Sequence, residues 1–490
     1  MTRHLLPVLL AVSAAMALPG QVPTSPTQRI AANDQQVLQA LIGFARSAES
    51  YKQPSRARQV YEQILDHYDV TNPTARKGLA WQQVKGEWQP PTKPQFAADT
   101  ATPDQRKKVD EAWRLTARKV TKLHRDLGLA LLAEQETALG RPQLERALAF
   151  DPEDVDSHKA LGHAQIDGFY GTAEQIAFLQ RMRDIVAKAR ELRSQDFQVT
   201  VLGQDQMPKE LLYTGLPFQG GRSPHFQHWV VDSAEDTAAT LQWAERSLAL
   251  GQFLLPEASA HSTHPEAIRW FGLVRTDEQR DLMLERSPKI RGKYSLEEAK
   301  LFAGMYVDLG SGRADVNWFA QPNDADHSVA MVTKRCLVGG RNTGLGEGLM
   351  HASTWLLCGS TLTFYCDLPK TFSGNAKLLP HDPKVWLSRL QDEIEAGTDY
   401  PLVQIPRQRS DNFHESARIK SWSFMLWLVA RHPDRWLKLL DKLSAPDLLP
   451  EDVTKVFATV LERDLGEVED EWRAWARRGS RIGKASGLVD

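Results

Sequence analysis

Cysteine is scarce in this chain of 490 residues, and the only three are Cys336, Cys358 and Cys366. An odd number cannot pair completely within one chain, and without a C-x-x-C pair a zinc site built from cysteines is not expected. We expect three buried thiols. If the chain is exported, one disulfide between Cys358 and Cys366 is the alternative.

The chain also lacks a marked charge of either sign, because its 60 basic and 62 acidic residues leave a formal net charge of -2 at pH 7. Such a balance gives no indication of a nucleic-acid partner or of a membrane surface. Long apolar runs are missing beyond the N-terminus, so we expect no stable membrane insertion of the mature protein. The G-x-S-x-G elbow and the P-loop are absent as well, which removes two common enzyme motifs.

The N-terminus has the pattern of a secretory signal. A short basic start precedes an apolar run from Leu5 to Ala17, which is too short to span a bilayer and ends in a small-x-small cleavage pattern. We therefore predict a signal peptide at 1–17, a flexible linker at 18–35, and export to the periplasm or the extracellular space. A buried N-terminal helix is the alternative.

The region 36–195 is predicted to be helical. Gln36 to Ser47 and Ser55 to Tyr68 form a predicted antiparallel pair of helices. A long helix is predicted from Gln105 to about Ala138, with Asp104 as its cap. The second helix of the pair carries an apolar stripe of Ala57, Val60, Tyr61, Ile64 and Leu65.

A block of sequence recurs within this helical region. Leu79-Ala80-Trp81 with Gly86-x-Trp88 resembles Leu161-Gly162-His163 with Gly168-x-Tyr170. In both places a helix that ends in an aromatic residue and a polar turn with a proline precede the block. The pattern resembles tetratricopeptide-type repeats, which implies helical hairpins of a kind that bind peptides. Unrelated helical hairpins are the alternative.

From about residue 196 the pattern changes to a mixture of strands and helices. A strong helix is predicted at Ala234 to Leu255, and after 295 helix dominates again. The predicted fold class is α+β and mostly α, with a small sheet followed by a helical C-terminal half. The predicted strands are Phe197 to Leu202, Glu210 to Tyr213, His225 to Val231 and Ala267 to Val274.

Two segments after residue 320 carry the pattern of a metal site. His327-Ser328-Val329-Ala330-Met331 has the frame of an H-E-x-x-H helix, and Glu347 follows at about the spacing of a third ligand. A working site of this type needs two imidazoles one helical turn apart and a glutamate base between them. Here Ser328 stands in the place of the base and Met331 in that of the second imidazole.

The order of several weak motifs supports this likeness. Ser223-Pro224-His225-Phe226 leads a predicted strand, Glu245-Arg246 lies in the following helix, and the chain closes with Glu469-x-Glu471-Trp472-x-x-Trp475. This order resembles the gluzincin superfamily, in its peptidase MA-like branch, over 196–478, with a tail at 479–490. The resemblance implies that His327 matches the first zinc histidine and Glu347 the third ligand.

The two replacements predict a vestigial site at His327, Ser328, Met331 and Glu347, with no catalytic residue and no cofactor. Methionine is a poor zinc ligand beside imidazole and carboxylate, and serine cannot act as a carboxylate base. Two surviving ligands are too few for catalytic zinc, which normally has three protein ligands and water.

An alternative hypothesis keeps the metal. His351 lies one helical turn after Glu347, so that His327, Glu347 and His351 could hold zinc, with Asp324 or Asp326 as the base. Otherwise Asp326 is predicted to cap its helix. A second incomplete motif, His414-Glu415 with Arg418 in the place of the second ligand, is expected to be an exposed helix start.

The sequence therefore predicts an exported, non-catalytic pseudopeptidase with a tetratricopeptide-like region, which binds a peptide or protein partner. The alternatives are an active zinc metallopeptidase that uses His327, Glu347 and His351, and a structural envelope protein. Five tryptophans at helical spacing are expected in the core rather than at a ligand site: Trp422, Trp427, Trp436, Trp472 and Trp475.

Overall fold

The chain forms two compact units, Met1–Ile176 and Ala177–Asp490. The predicted signal peptide, Cys366 and the predicted tail lie outside the described residues. The computed structural model describes residues 25–91, 97–231, 233–256, 263, 270–274, 276–286, 304–308, 313–318, 324–338, 344–361, 382–408, 413–445 and 448–477.

In its described residues, the first unit is made of helices and two small hairpins. Each hairpin joins two antiparallel strands, β1 with β2 and β3 with β4. Its strands are β1 Gln82–Val84, β2 Glu87–Gln89, β3 Ala164–Ile166 and β4 Phe169–Gly171. Its helices are α1 Pro26–Ser50, α2 Pro54–His67, α3 Pro73–Gly78, α4 Pro103–Ala133, α5 Thr137–Phe150 and α6 Val155–Leu161, and α7 Ala173–Ser194 begins in this unit.

Helix α1 begins earlier than the sequence predicted, at Pro26 rather than Gln36. Ser25 and Gln28 form a capping box, because each side chain bonds the other residue's backbone N–H, and Pro26 suits the first helical position. Residues 26–35, which were predicted to be linker, are therefore helical. Likewise Thr102, paired with Gln105, caps α4 instead of the predicted Asp104.

Helix α4 is also shorter than predicted. It ends at Ala133, and a turn in which Gln135 has a φ of 64° separates it from α5. The predicted apolar stripe on α2 lies in the core of this unit, except that Leu65 is only half-buried. The core residues include Val37, Leu41, Phe44, Ala57, Val60, Tyr61, Ile64, Val109 and Val120.

The two recurring sequence blocks have the same local structure. Asn72 and Asp154, 82 positions apart, cap the short helices α3 and α6 with their side chains. Each short helix leads into a hairpin whose turn has two residues with positive φ: Lys85 and Gly86 in one, Asp167 and Gly168 in the other. Two-residue hairpin turns of this type need positive φ at both positions, which explains the glycine in each block.

The second unit contains a six-stranded mixed sheet with the order β5-β6-β7-β8-β10-β9. Strands β7, β8 and β10 are parallel to one another, and the other neighbours are antiparallel. The strands are β5 Thr200–Leu202, β6 Phe218–Arg222, β7 Gln227–Val231, β8 Trp270–Val274, β9 Gly304–Asp308 and β10 Arg313–Trp318.

The predicted strand at Glu210 to Tyr213 is wrong, because this segment forms the short helix α8, Lys209–Leu212. Its backbone bonds are local, from Leu211 N to the Pro208 carbonyl and from Tyr213 N to the Lys209 carbonyl. Helix α9, Ala234–Leu254, agrees with the predicted helix and is capped by Ser233. Helix α10 follows at Asp277–Arg286.

Helices dominate the C-terminal half, so the predicted class, α+β and mostly α, is confirmed. Trp422, Trp427, Trp436 and Trp472 are fully buried in its core as predicted, and Trp475 is half-buried against it. The helices are α11 Asp324–Val332, which continues as a π-helical turn at Thr333–Val338, α12 Gly344–Cys358, α13 Pro383–Ala396, α14 Glu415–Arg431, α15 Trp436–Lys442, α16 Pro450–Leu461 and α17 Leu465–Arg477.

Candidate functional site

The predicted metal motif lies on α11 and the start of α12. The side chain of His327 is outside the described part of the structure, whereas Ser328, Met331 and Glu347 are buried. Met331 and Glu347 have different neighbours. Met331 packs in a cluster with Phe226, Leu241, Ala244, Leu248, Val332 and Cys336.

Glu347 instead lies among cations. Its Oε1 atom is 3.4 Å from Nζ of Lys334, which belongs to the π-helical turn. Its Oε2 atom is 3.8 Å from the guanidinium of Arg418, which comes from α14. Arg418 and Glu347 are 2% and 5% exposed, so this pair interacts in the interior, where screening by water is weak.

His351 completes this polar cluster. Its Nε2 atom lies 3.5 Å from the same guanidinium nitrogen of Arg418, and its ring meets Trp386 edge-on at 5.2 Å. Burial lowers the pKa of His351 to about 3, and the charge of Arg418 acts in the same direction. The imidazole is therefore neutral at neutral pH, with its Nε2 lone pair directed at Arg418.

The close approach of α12 and α14 brings these residues together. At Gly348 an added Cβ would lie 2.4 Å from the backbone oxygen of Ser421, so only glycine fits between the two helices there. Ser421 also donates from its hydroxyl to the carbonyl of Gly344, at the start of α12. Glycine at position 348 thus allows the contact that places Arg418 beside Glu347.

The expectation for the His414 segment is correct at its start and wrong at its end. His414 is exposed and caps α14, since its Nδ1 accepts a bond from Ser416 N at 3.2 Å. Glu415 pairs with Arg389 at 2.7 Å. Arg418, however, is buried, because one turn into α14 the helix already faces α12. Sequence reasoning therefore missed its role at the site.

Asp326 does not cap α11, because the helix begins at Asp324 and Asp326 is buried within its first turn. Asp326 accepts a hydrogen bond of 2.5 Å from the hydroxyl of Ser360, just after the end of α12. Burial, and then the charge of Asp326, raise the pKa of the Cys358 thiol. Since Glu347 lies in the first turn of α12, roughly 16 Å of helix separates it from Cys358. The side chain of Asp324 is outside the described residues.

The motif around His225 forms a closed hydrogen-bond network. Buried Glu245 accepts bonds from the Ser223 hydroxyl at 2.6 Å, from His225 N at 2.8 Å and from His225 Nδ1 at 2.8 Å. The carboxylate thereby fixes the turn between β6 and β7. Arg246 packs over Trp243, 4.6 Å from the ring centroid.

The late acidic-tryptophan motif has a packing role. Glu469 pairs with Lys420, a fully buried residue that also reaches Asp399 at 2.5 Å. Trp472 lies below the Lys420 ammonium, 4.7 Å from it, and its indole donates to Ser423 at 3.3 Å. These residues hold α14 and α17 together.

No family model, curated protein or solved structure matches this chain. Within the described ranges, no group of three or more His, Cys, Asp or Glu side chains is arranged to hold a metal ion. None of the described helices has both the length and the hydropathy that a membrane crossing requires.

Proposed function

We propose that this chain is a non-catalytic protein of peptidase-like organisation that binds a peptide or protein partner. One observation carries the proposal. The guanidinium of Arg418 lies 3.8 Å from Glu347 and 3.5 Å from His351, the two described residues that could serve as zinc ligands. A fixed positive charge thus stands where a zinc ion would have to stand.

The energy of this arrangement disfavours zinc. Arginine keeps its proton in proteins, so Arg418 cannot become neutral to admit a metal. Two unit charges 4 Å apart repel by about 4 kcal/mol at an effective dielectric constant of 20, so a dication beside Arg418 would cost about 8 kcal/mol. Glu347, with Lys334 on its other oxygen, is engaged in ion pairs rather than open for coordination.

The chemistry of the neighbouring positions supports the same proposal. Ser328 cannot accept a proton as a glutamate base does. Met331 packs in an apolar cluster, where its thioether acts as a core side chain. The gluzincin-like organisation of the second unit, with its vestigial site, remains part of this proposal.

The binding half of the proposal rests on the first unit. Its two structurally equivalent blocks each expose a hairpin, and these hairpins carry Trp88 and Tyr170 at equivalent, half-buried positions. Aromatic side chains at accessible positions supply much of the binding energy at protein surfaces. We propose that this tetratricopeptide-like unit holds the partner, in an exported protein.

Metal content tests the non-catalytic half. Elemental mass spectrometry of the purified chain, beside Glu347→Ala and Arg418→Met, is expected to find no stoichiometric zinc in the wild type. About one zinc per chain, lost in Glu347→Ala, would overturn the proposal in favour of the metallopeptidase. Zinc that appears only in Arg418→Met would support the view that the guanidinium excludes it.

Peptide binding tests the other half. The full chain, immobilised and probed with a random peptide library, is expected to enrich a common sequence. The double variant Trp88→Ala/Tyr170→Ala should reduce that binding, whereas Arg418→Met should leave it unchanged. No enrichment by the folded wild type would favour the structural alternative, and a loss confined to Arg418→Met would move the binding site to the second unit.

A further inference from the structure

Two histidines meet at the junction of α6 and the second hairpin. Nδ1 of His158 lies 2.7 Å from Nδ1 of His163, and the rings are 5.0 Å apart. The His158 ring also stacks on Tyr170 at 5.5 Å and 17°. The two Nδ1 atoms are therefore hydrogen-bonded to each other beside the hairpin.

In the first block, Arg76 and Trp81 occupy the positions equivalent to His158 and His163, and they also contact each other. Arg76, 82 positions before His158, donates to the carbonyl of Val70 at 2.7 and 3.0 Å. Its guanidinium lies over Trp81, which is equivalent to His163, at 5.2 Å. The local structure of the first block therefore forms without a histidine at either position. The histidine pair distinguishes the second block from the first.

The backbone fixes the tautomer of His158. Its Nε2 lies 2.9 Å from the carbonyl of Pro152, the residue equivalent to Val70. A carbonyl can only accept, so Nε2 must carry the proton and Nδ1 of the neutral ring has a lone pair. A histidine that donates one N–H to a backbone carbonyl and presents its other nitrogen is the arrangement found around bound metals.

We propose that His158 and His163 bind copper(II) through their two Nδ1 atoms, with water as the remaining ligands. The two nitrogens lie 2.7 Å apart, which is close enough for one ion to bond both. Among the divalent first-row ions, copper(II) binds a given set of nitrogen ligands most tightly, which favours it over zinc.

The surroundings of the pair allow a metal ion to take the place of the proton in the hydrogen bond between the two Nδ1 atoms. His163 is half-buried, so its Nε2 can hold a proton in contact with water. A neutral imidazole is the form that coordinates, and binding must weaken as the pH falls through the imidazole range.

Titration of the metal-free full chain with copper(II) at pH 7.5, followed by electron paramagnetic resonance and calorimetry, tests the site. We expect one copper(II) with couplings from two nitrogens, bound more tightly than nickel(II) or zinc(II). His163→Trp, which installs the residue of the first block, should weaken binding by at least about tenfold. His225→Ala, at an exposed histidine elsewhere, should not change it.

Two results would overturn the proposal. Equal copper affinity in the wild type and in His163→Trp would mean an adventitious ion only, and tighter binding of zinc than of copper would contradict the assignment to copper. If His163→Trp does not fold, nuclear magnetic resonance of the wild type provides the test, through the ring signals of His158 and His163. They should broaden first when copper(II) is added below one equivalent, and a failure to do so counts against the site.

Discussion

At the scale of single residues, Arg418 determines the chemistry of the candidate site. Its guanidinium lies 3.8 Å from the carboxylate of Glu347 and 3.5 Å from the ring of His351. Its charge partner Glu347 is buried, so the loss of Arg418 leaves a carboxylate in the interior with less compensation. The pair therefore has a structural role that can be measured separately from any binding.

We expect Arg418→Met to lower the free energy of unfolding of the second unit by about 3–5 kcal/mol, because it breaks a buried ion pair on one side only. Denaturant titration followed by tryptophan fluorescence measures this. The matched control is Arg389→Met, since Arg389 pairs with Glu415 but is 36% exposed. The control should lose at most about 1 kcal/mol. Equal losses in both variants would contradict the assigned role of Arg418.

The sequence could predict only part of this cluster. Glu347 and His351 share a helical face, and their spacing of four residues predicts it. Arg418 joins them from a helix that begins many residues later, and nothing in the spacing of His414 and Arg418 indicates that contact. The polar residues at 414–418, near a helix start, predict an exposed segment. In the structure, packing of α14 against α12 buries Arg418, the last of them.

At the scale of elements, the crossing of α12 and α14 depends on Gly348. We expect Gly348→Ala to destabilise the second unit by roughly 1–3 kcal/mol or more, because the new Cβ would meet the backbone of Ser421 at 2.4 Å. Thermal unfolding monitored by circular dichroism measures the change in Tm. Gly466→Ala is the control.

Gly466 lies in α17 and has nothing within 4 Å of an added Cβ. Alanine there should leave Tm unchanged or raise it slightly, since alanine has a higher helix propensity than glycine. A fall in Tm for Gly466→Ala as large as that for Gly348→Ala would show that close packing is not the cause.

Helices were easier to predict than their limits or the short strands. The apolar stripe of α2 identified its buried face, but the start of α1 was missed because the proline-rich lead-in looked flexible. The capping boxes Ser25 with Gln28 and Thr102 with Gln105 were the sequence patterns that could have placed both starts. The segment at 210–213 was too short for its periodicity to separate strand from helix.

At the scale of the whole molecule, buried histidines should make the fold sensitive to acid. Burial lowers the pKa of His124 to about 4, that of His351 to about 3 and that of His432 to about 4. Between about pH 6.5 and these values the unfolded chain binds protons that the folded chain does not. Stability contributed by these neutral rings is therefore present above pH 6.5 and is lost as the pH falls toward 4.

We expect the free energy of unfolding of the first unit to fall by roughly 3 kcal/mol between pH 6.5 and pH 4, since only His124 among these three lies there. Amide exchange of α4 across this range measures it. His124→Gln should remove most of the slope, whatever its effect on stability at neutral pH. An unchanged slope in the variant would mean that other groups carry the acid sensitivity.

The buried ammonium of Lys420 has a consequence for the order in which the chain can mature on the ribosome. Its carboxylate partner Asp399 precedes it in the sequence, whereas its other carboxylate partner, Glu469, comes from α17. While α17 is still inside the ribosome, Lys420 lacks one of its two carboxylate partners, and burial of a lysine without its partners is unfavourable. The buried site of Lys420 can therefore be completed only after α17 has been synthesised, so this helix sets the earliest point at which the second unit can close.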